Sequence, residues 1–457
     1  MDAVPLLDRL RAYQLTPTQI LVLGFTGLIL AGALLLSLPF ASSSGRSIAP
    51  IDALFTATSA VCVTGLIVLD TPVDFSLFGQ LVILLLFQIG GLGYMTMATV
   101  LLVVLGKRIG MRDRMVIQET LSTFTMEGLV RFIVGVVKFS LLVEFTGAVL
   151  LSIRFLEEMP PAQAAYFGVF HSISAFNNAG FSLYSLNLVA YRGDLMTNTV
   201  IMALIILGGL GFLVYQDLLK RFTREVFRLS LHTKIVLITS GILIFLGAAG
   251  FYLFERQNPL ALQGLSLKDR ALASLFQSVA SRTAGFNTVD IGSLTGPTLY
   301  LLVLLMAIGA SPGGTGGGIK TSTLAIIAAA LWAMMRGYED VTLFHRRITP
   351  QVIAKAFFLS AIAMIVITGG TLLLLYSEKQ NMLGTLFEVA SAAGTVGLST
   401  GDGGARSLSA IFGDIGKSVI ILCMVLGRIG PLVVGITAMT HIQRVRFRYP
   451  EGKVMIG

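Results

Sequence analysis

Charge is scarce in this chain. Asp, Glu, Lys and Arg make up 12% of its 457 residues, 55% are hydrophobic, and the mean hydropathy is +0.84. Soluble domains carry roughly twice that share of charge, so a chain this apolar cannot cover a water-facing surface, and a soluble enzyme or binding domain is excluded. Cysteine is nearly absent as well: Cys62 and Cys423 lie in different apolar segments, too few for a disulfide framework. The four histidines (His171, His232, His345, His441) are scattered without metal-ligand spacing. A secretory leader is not expected, because Asp2 and Asp8 stand where its positive end would be, and the first apolar run is long enough to span a bilayer.

Apolar length is abundant. A spanning helix needs about 20 predominantly apolar residues, and eight stretches qualify: 18–38, 76–105, 132–155, 196–219, 234–254, 298–333, 352–376 and 411–440. With the N-terminus inside and these eight crossing, inner segments hold twenty Lys and Arg and outer segments ten. That bias follows the positive-inside rule. It accounts for the net charge of +9 without nucleic acid as a partner, and it leaves membrane lipid as the surroundings, with both termini cytoplasmic.

Between the long runs lie four shorter ones rich in Ser, Thr, Ala and Gly, at 52–66, 166–181, 271–286 and 383–398. Each is too short to cross, as re-entrant segments are. They align as a short amphipathic helix, two small or polar residues, Gly, then Phe or Leu. The glycines, Gly65, Gly180, Gly285 and Gly397, are 115, 105 and 112 positions apart. The fold class expected is therefore an all-α polytopic membrane protein of four helix–pore loop–helix repeats in pseudo-fourfold arrangement, eight spanning helices plus four pore helices. The repeats fall at 18–105, 106–219, 220–335 and 336–440, between cytoplasmic segments 1–17 and 441–457.

Such a design suits a cation. A dehydrated ion needs oxygens in place of water, and rings of backbone carbonyls supply them. Glycine tolerates the irregular backbone that turns carbonyls inward, and a pore helix ending at the loop brings its partially negative C-terminus to the ion. The candidate filter is Val63, Thr64 and Gly65; Asn178, Ala179 and Gly180; Thr283, Ala284 and Gly285; and Thr395, Val396 and Gly397. Thr395-Val-Gly-Leu is close to the Thr-Val-Gly-Tyr of a potassium filter. The residues before each Gly differ among repeats, which points to fewer well-ordered ion sites than a symmetric channel has.

The sixth run is interrupted by Gly309-Ala-Ser311-Pro312-Gly313-Gly314-Thr315-Gly316-Gly317-Gly318, followed by Ile319, Lys320 and Thr321. Pro and clustered Gly should unwind it at membrane depth, where irregular backbone must line a cavity. The spacing fails for a phosphate-binding loop, since Ile319 separates the last Gly from Lys320 and no strand precedes. Lys320 is expected either to act at this loop or to snorkel inward. Arg428, deep in the last span, is expected either to meet carbonyls or acids near the loop or to sit in a purely structural buried ion pair. Milder breaks are expected at Gly90–Gly93, Gly208–Gly211 and Gly427–Pro431. Asp52 is expected to cap the first pore helix. Arg282 and Glu388 should either pair behind the filter or lie exposed at the outer mouth.

The four pore stretches, the loop at 311–321, Arg282-Thr-Ala-Gly-Phe-Asn287, Gly427-Arg-Ile-Gly-Pro431 and Arg448-Tyr-Pro-Glu-Gly452 together resemble the Trk/Ktr/HKT superfamily of potassium transporters, over nearly the whole chain, and most closely the membrane subunit of bacterial Ktr systems. The resemblance implies potassium uptake across the plasma membrane (the bacterial inner membrane), with potassium ions in the filter and no covalent cofactor. It implies a homodimer with two separate pores, and a cytosolic ring of nucleotide-binding regulatory subunits docked on the basic inner face. In plant relatives a Ser in place of the first filter glycine goes with sodium permeation; glycine at all four positions here favours potassium. The loop at 309–318 would be the gate, with Lys320 and Arg428 around it. The resemblance also raises sodium stimulation, although no residue pattern identifies a sodium site.

Two other classes compete. A secondary transporter with broken helices would usually carry inverted repeats, whereas these four share one orientation. An intramembrane enzyme needs a nucleophile and base. His171, with Ser172 and Ser174 beside it, reads as packing, since neighbours that close on a helix do not face one another.

Overall fold

The computed structural model describes residues 17–93, 96–97, 129–224 and 228–440. The termini, including Arg448–Gly452, and most of the inner segment after the second span therefore lie outside the described residues.

The described residues are mostly helical, as expected. Helices α1 (Pro17–Ser37), α4 (Leu129–Phe155), α8 (Leu231–Glu255) and α12 (Pro350–Glu378) are long and apolar enough to cross a bilayer unbroken. Their outer faces carry Leu34, Phe145, Phe245 and Ile365, all about two-thirds exposed, an arrangement that only an apolar solvent favours. Each packs against the short helix that follows it: α2 (Pro50–Val61), α5 (Pro161–Phe176), α9 (Leu267–Ala280) and α13 (Met382–Gly394). The short helices start on recognisable signals. Pro50 and Pro161 sit in the first turn of theirs, where a missing N–H costs nothing. Ser266 and Asn381 cap the other two by accepting from the backbone N–H of Asp269 and Leu383. Asp52 does not cap α2, correcting the expectation: the N-cap is Ala49, and the Asp52 carboxylate, in the first turn, pairs with Lys417 Nζ at 2.6 Å.

The second long element of each repeat departs further from plan. Helix α3 (Leu77–Leu92) stops at Gly93, whose φ is +82°. Helix α6 (Leu195–Gly209) meets α7 (Phe212–Phe222) at 98° across Leu210 and Gly211, a sharp turn rather than a mild break. Helices α10 (Gly296–Ala307) and α11 (Thr321–Met335) are separated by an extended stretch, with Ile308 and Ile319 forming a parallel bridge at its neck. By contrast α14 (Asp414–Thr440) passes through Gly427–Pro431 without interruption. Proline is tolerated in membrane helices where neighbours satisfy the freed backbone groups.

At the end where the pore helices begin, Arg154 pairs with Glu157, Glu158 and Asp194, and Asp194 also caps α6 through the N–H groups of Met196 and Thr197. This knot ties the end of α4 to the start of α6. At the opposite end a two-residue-per-strand hairpin, β1 (Thr342–Leu343) and β2 (Arg346–Arg347), joins α11 to α12.

Candidate functional site: a ring of four loops above an unwound segment

The C-termini of α2, α5, α9 and α13 lead into four loops that close on one another. All four glycines take positive φ: +90° at Gly65, +73° at Gly180, +74° at Gly285 and +96° at Gly397. Their contacts run in a circle. A methyl group on Gly65 would lie 2.5 Å from the Ala179 carbonyl oxygen and 3.0 Å from Gly180 Cα. On Gly180 it would lie 2.9 Å from Ala284 O, on Gly285 2.4 Å from Val396 O, and on Gly397 2.2 Å from Thr64 O. Each glycine therefore abuts the carbonyl just before the next glycine, and the fourth returns to the first. Glycine is required twice over, by dihedral and by space.

A second repeated feature had no signal in residue type. Two positions before each glycine stand Val63, Asn178, Thr283 and Thr395, also at positive φ: +56°, +58°, +77° and +50°. For β-branched residues that conformation is strained, and it persists only where the surroundings impose it, most often at functional sites. These residues, together with Thr64, Ala179, Ala284 and Val396, are fully buried. The constraint is partly visible six residues before the glycine. Ser59 Oγ accepts from Gly65 N–H and Ser391 Oγ from Gly397 N–H, both at 3.0 Å, while Ser174 Oγ donates to Phe181 O at 2.7 Å. Sequence reading missed these serines, although they recur at one register. The third repeat has Val279 there, and its Ala284 and Gly285 N–H groups bond Ala280 O instead.

On one side of the ring is an open vestibule of about 630 Å³, walled by all four glycines with Asp70, Tyr184, Asp290 and Arg406 among its lining. On the other side lies the unwound stretch between α10 and α11. Gly316 and Gly317 press so close to the third and fourth loops that a methyl on either would fall 2.0 Å from Thr283 Oγ1 or 2.3 Å from Thr395 Oγ1. Gly317 N–H donates to Thr395 Oγ1 at 3.1 Å. Ser311 and Thr315 N–H donate to Gly209 O and Gly208 O at the end of α6, at 3.0 and 3.1 Å, and Thr315 Oγ1 donates to Phe176 O at the end of α5. Phe212 N–H, just past the α6–α7 turn, donates to Gly313 O. Gly211 itself, φ +94°, would place a methyl 2.4 Å from Pro312 O, so the sharp turn makes room for the loop. Ser311 and Thr321 hydroxyls meet at 2.9 Å across its base, Gly309 N–H donates to Ile319 O at 2.8 Å, and Gly314 and Gly318 complete the run.

Lys320 and Arg428 both hold this segment. Lys320 Nζ donates back to Gly316 O and Gly317 O, at 2.7 and 3.3 Å, so it caps the loop instead of reaching for the interface. Arg428, from α14, donates to Thr315 O and, from its other terminal nitrogen, to Gly90 O at 2.7 Å and Gly91 O at 3.4 Å near the end of α3. It thereby joins the loop to a helix of the first repeat.

Arg282 and Glu388 do neither of the things expected of them. Arg282 faces Ser240 of α8, and Glu388, fully buried, accepts from Ser399 and Ser409. No ion pair joins the two among the described residues. His171 is buried among Phe155, Phe167 and Tyr184, with its ring nitrogens on Phe167 O and Ser182 Oγ, which is a packing role.

Comparison with known proteins identifies the family and the fold. Residues 11–447 match the family model described as "TrkH: Cation transport protein". The chain is 40% identical over 442 residues to "Ktr system potassium uptake protein B" of Bacillus subtilis, covering 97% of each chain. It is 37% identical over 450 residues to "Potassium/sodium uptake protein NtpJ" of Enterococcus hirae, covering 97% of this chain and 98% of that one. The fold also matches the crystal structure of the potassium transporter TrkH from Vibrio parahaemolyticus with a TM-score of 0.69, at 21% identity over 92% of this chain and 84% of the other. The protein is a multi-pass membrane transporter rather than an enzyme, and it belongs to the TrkH family of cation transport proteins.

Proposed function

We propose that this protein takes up potassium through the ring of Gly65, Gly180, Gly285 and Gly397. The observation that carries the reading is the closed circle of contacts in which each glycine abuts the next loop's carbonyl. Four carbonyl-rich loops at the mouth of a water-accessible vestibule, each fed by the C-terminus of a pore helix, form the kind of site that replaces a cation's hydration shell. The named substrates of the relatives, potassium for one and potassium or sodium for another, support the ion's identity and leave room for sodium stimulation.

The unwound segment Gly309–Gly318 is the gate. It lies against Thr283 and Thr395 on the face of the ring away from the vestibule, so an ion leaving the ring meets it next. Lys320 and Arg428 hold it closed through carbonyls that they alone, among the described side chains, bond as cations. Regulation by a cytosolic nucleotide-binding ring, a homodimeric state, and cytoplasmic termini at the plasma membrane rest on the resemblance to Ktr membrane subunits, with the positive-inside count in support. A secondary transporter with inverted repeats is the weaker reading, because α2, α5, α9 and α13 all present their C-termini to one ring.

The test is the reversal potential of purified protein in proteoliposomes under opposed potassium and sodium gradients. A potassium-selective potential is expected. No selectivity between the two ions would overturn the assignment of the ring as a potassium filter.

A further inference from the structure

The residue three positions before each ring glycine differs in every repeat: Cys62, Asn177, Arg282 and Gly394. Two of these positions bring a charge behind the ring. In the second repeat Asn177 Nδ2 donates to Glu144 Oε1 at 3.1 Å and to Gln88 Oε1 at 2.6 Å, and Gln88 Nε2 donates to Glu144 Oε2 at 3.1 Å. Glu144 sits mid-way along α4 and is 4% exposed. Both its oxygens accept amide hydrogens, the pattern of a carboxylate. In the third repeat Arg282 reaches α8, where its Nη2 donates to Ser240 Oγ at 3.2 Å and its Nη1 to Ser240 O at 3.5 Å. Among the described residues neither Glu144 nor Arg282 enters an ion pair. The loops that they back are neighbours: Gly180 abuts Ala284 O, and the Asn178 and Thr283 side chains meet at 3.3 Å.

An intramembrane charge without a counter-ion is costly and points to function. We propose that Glu144 and Arg282 set the affinity of the ring for its cation, with opposite signs. The carboxylate behind the second loop finds its compensating charge in the transported ion and holds it. The guanidinium behind the third loop repels the ion and keeps it from being held too long, since conduction needs binding that is also easily left. Neither side chain lines the path; each acts through the field it sets across a single loop. The proposal rests on the ring being the ion path.

The experiment measures the KM and maximal rate of potassium flux in proteoliposomes for wild type, E144Q, R282Q, the E144Q/R282Q double variant, and the charge-keeping E144D and R282K. A unit charge about 10 Å away in protein changes affinity on the order of tenfold. E144Q should raise KM by up to about that factor, R282Q should lower it, and the double variant should fall between them, with E144D and R282K near wild type. A merely structural role would move both neutral variants the same way, through lost flux. KM shifts of one sign in E144Q and R282Q overturn the proposal, and so does an E144Q KM equal to wild type, which would mean the carboxyl is neutral. Should E144Q not fold, the sign of the R282Q shift against R282K decides the matter. Absent wild-type flux would instead refute the ring as ion path, and this proposal with it.

Discussion

At the scale of single residues, the ring is defined by what cannot be changed. Gly397→Ala would put a methyl 2.2 Å from Thr64 O at a φ of +96°, and neither the backbone nor its neighbour can give way cheaply. Potassium flux should fall more than tenfold in that variant, measured against Gly27→Ala, where nothing lies within 4 Å and flux should stay at the wild-type level. Ser391→Ala removes the hydroxyl that accepts from Gly397 N–H, a loss of about 1 kcal/mol. It should lower the potassium-to-sodium permeability ratio more than it lowers thermal stability, read by bi-ionic potentials beside a melting curve. The glycines were legible in the sequence because their chemistry is unique. The strained positions before them were not, since Val63, Asn178, Thr283 and Thr395 share no property that announces a left-handed backbone.

At the scale of elements, the proposed gate is a set of backbone groups held by a few side chains. Arg428 bonds Thr315 O on one side and Gly90 and Gly91 O on the other. Charge-assisted bonds of this kind are each worth about 1.5–3 kcal/mol, so Arg428→Gln should raise the open fraction by at least tenfold, seen as higher basal potassium leak from liposomes without any partner protein. Unchanged leak would place the barrier elsewhere. The unwinding at Gly309–Gly318 was readable because proline and six glycines stand together. The 98° turn between α6 and α7 was underestimated because Gly-Gly-Leu-Gly reads equally well as close helix packing; the turn seats Gly211 against Pro312 O, a contact 101 positions away that local sequence cannot show. The converse error, a break expected at Gly427–Pro431, arose from treating proline as decisive where membrane neighbours can absorb it.

At the scale of the whole molecule, hydropathy and charge placement were enough to read a helical membrane protein, because bilayer thickness fixes span length and the cost of burying charge fixes where cations lie. Four-loop closure was legible only through spacing, and the order of contacts around the ring came from the fold. The central claim is that this ring is the ion's path, and it is tested most directly by potassium and sodium flux into proteoliposomes for wild type beside Gly180→Asp. Gly180 has the Ala284 carbonyl 2.9 Å from where a Cβ would sit, so a carboxylate there must distort the ring and change its charge. Potassium flux down its gradient in the wild type, with flux abolished or potassium preference lost in the variant, is the predicted result. Equal potassium flux and equal selectivity in the two proteins would contradict the account, because ions would then be crossing by a route that Gly180 does not line.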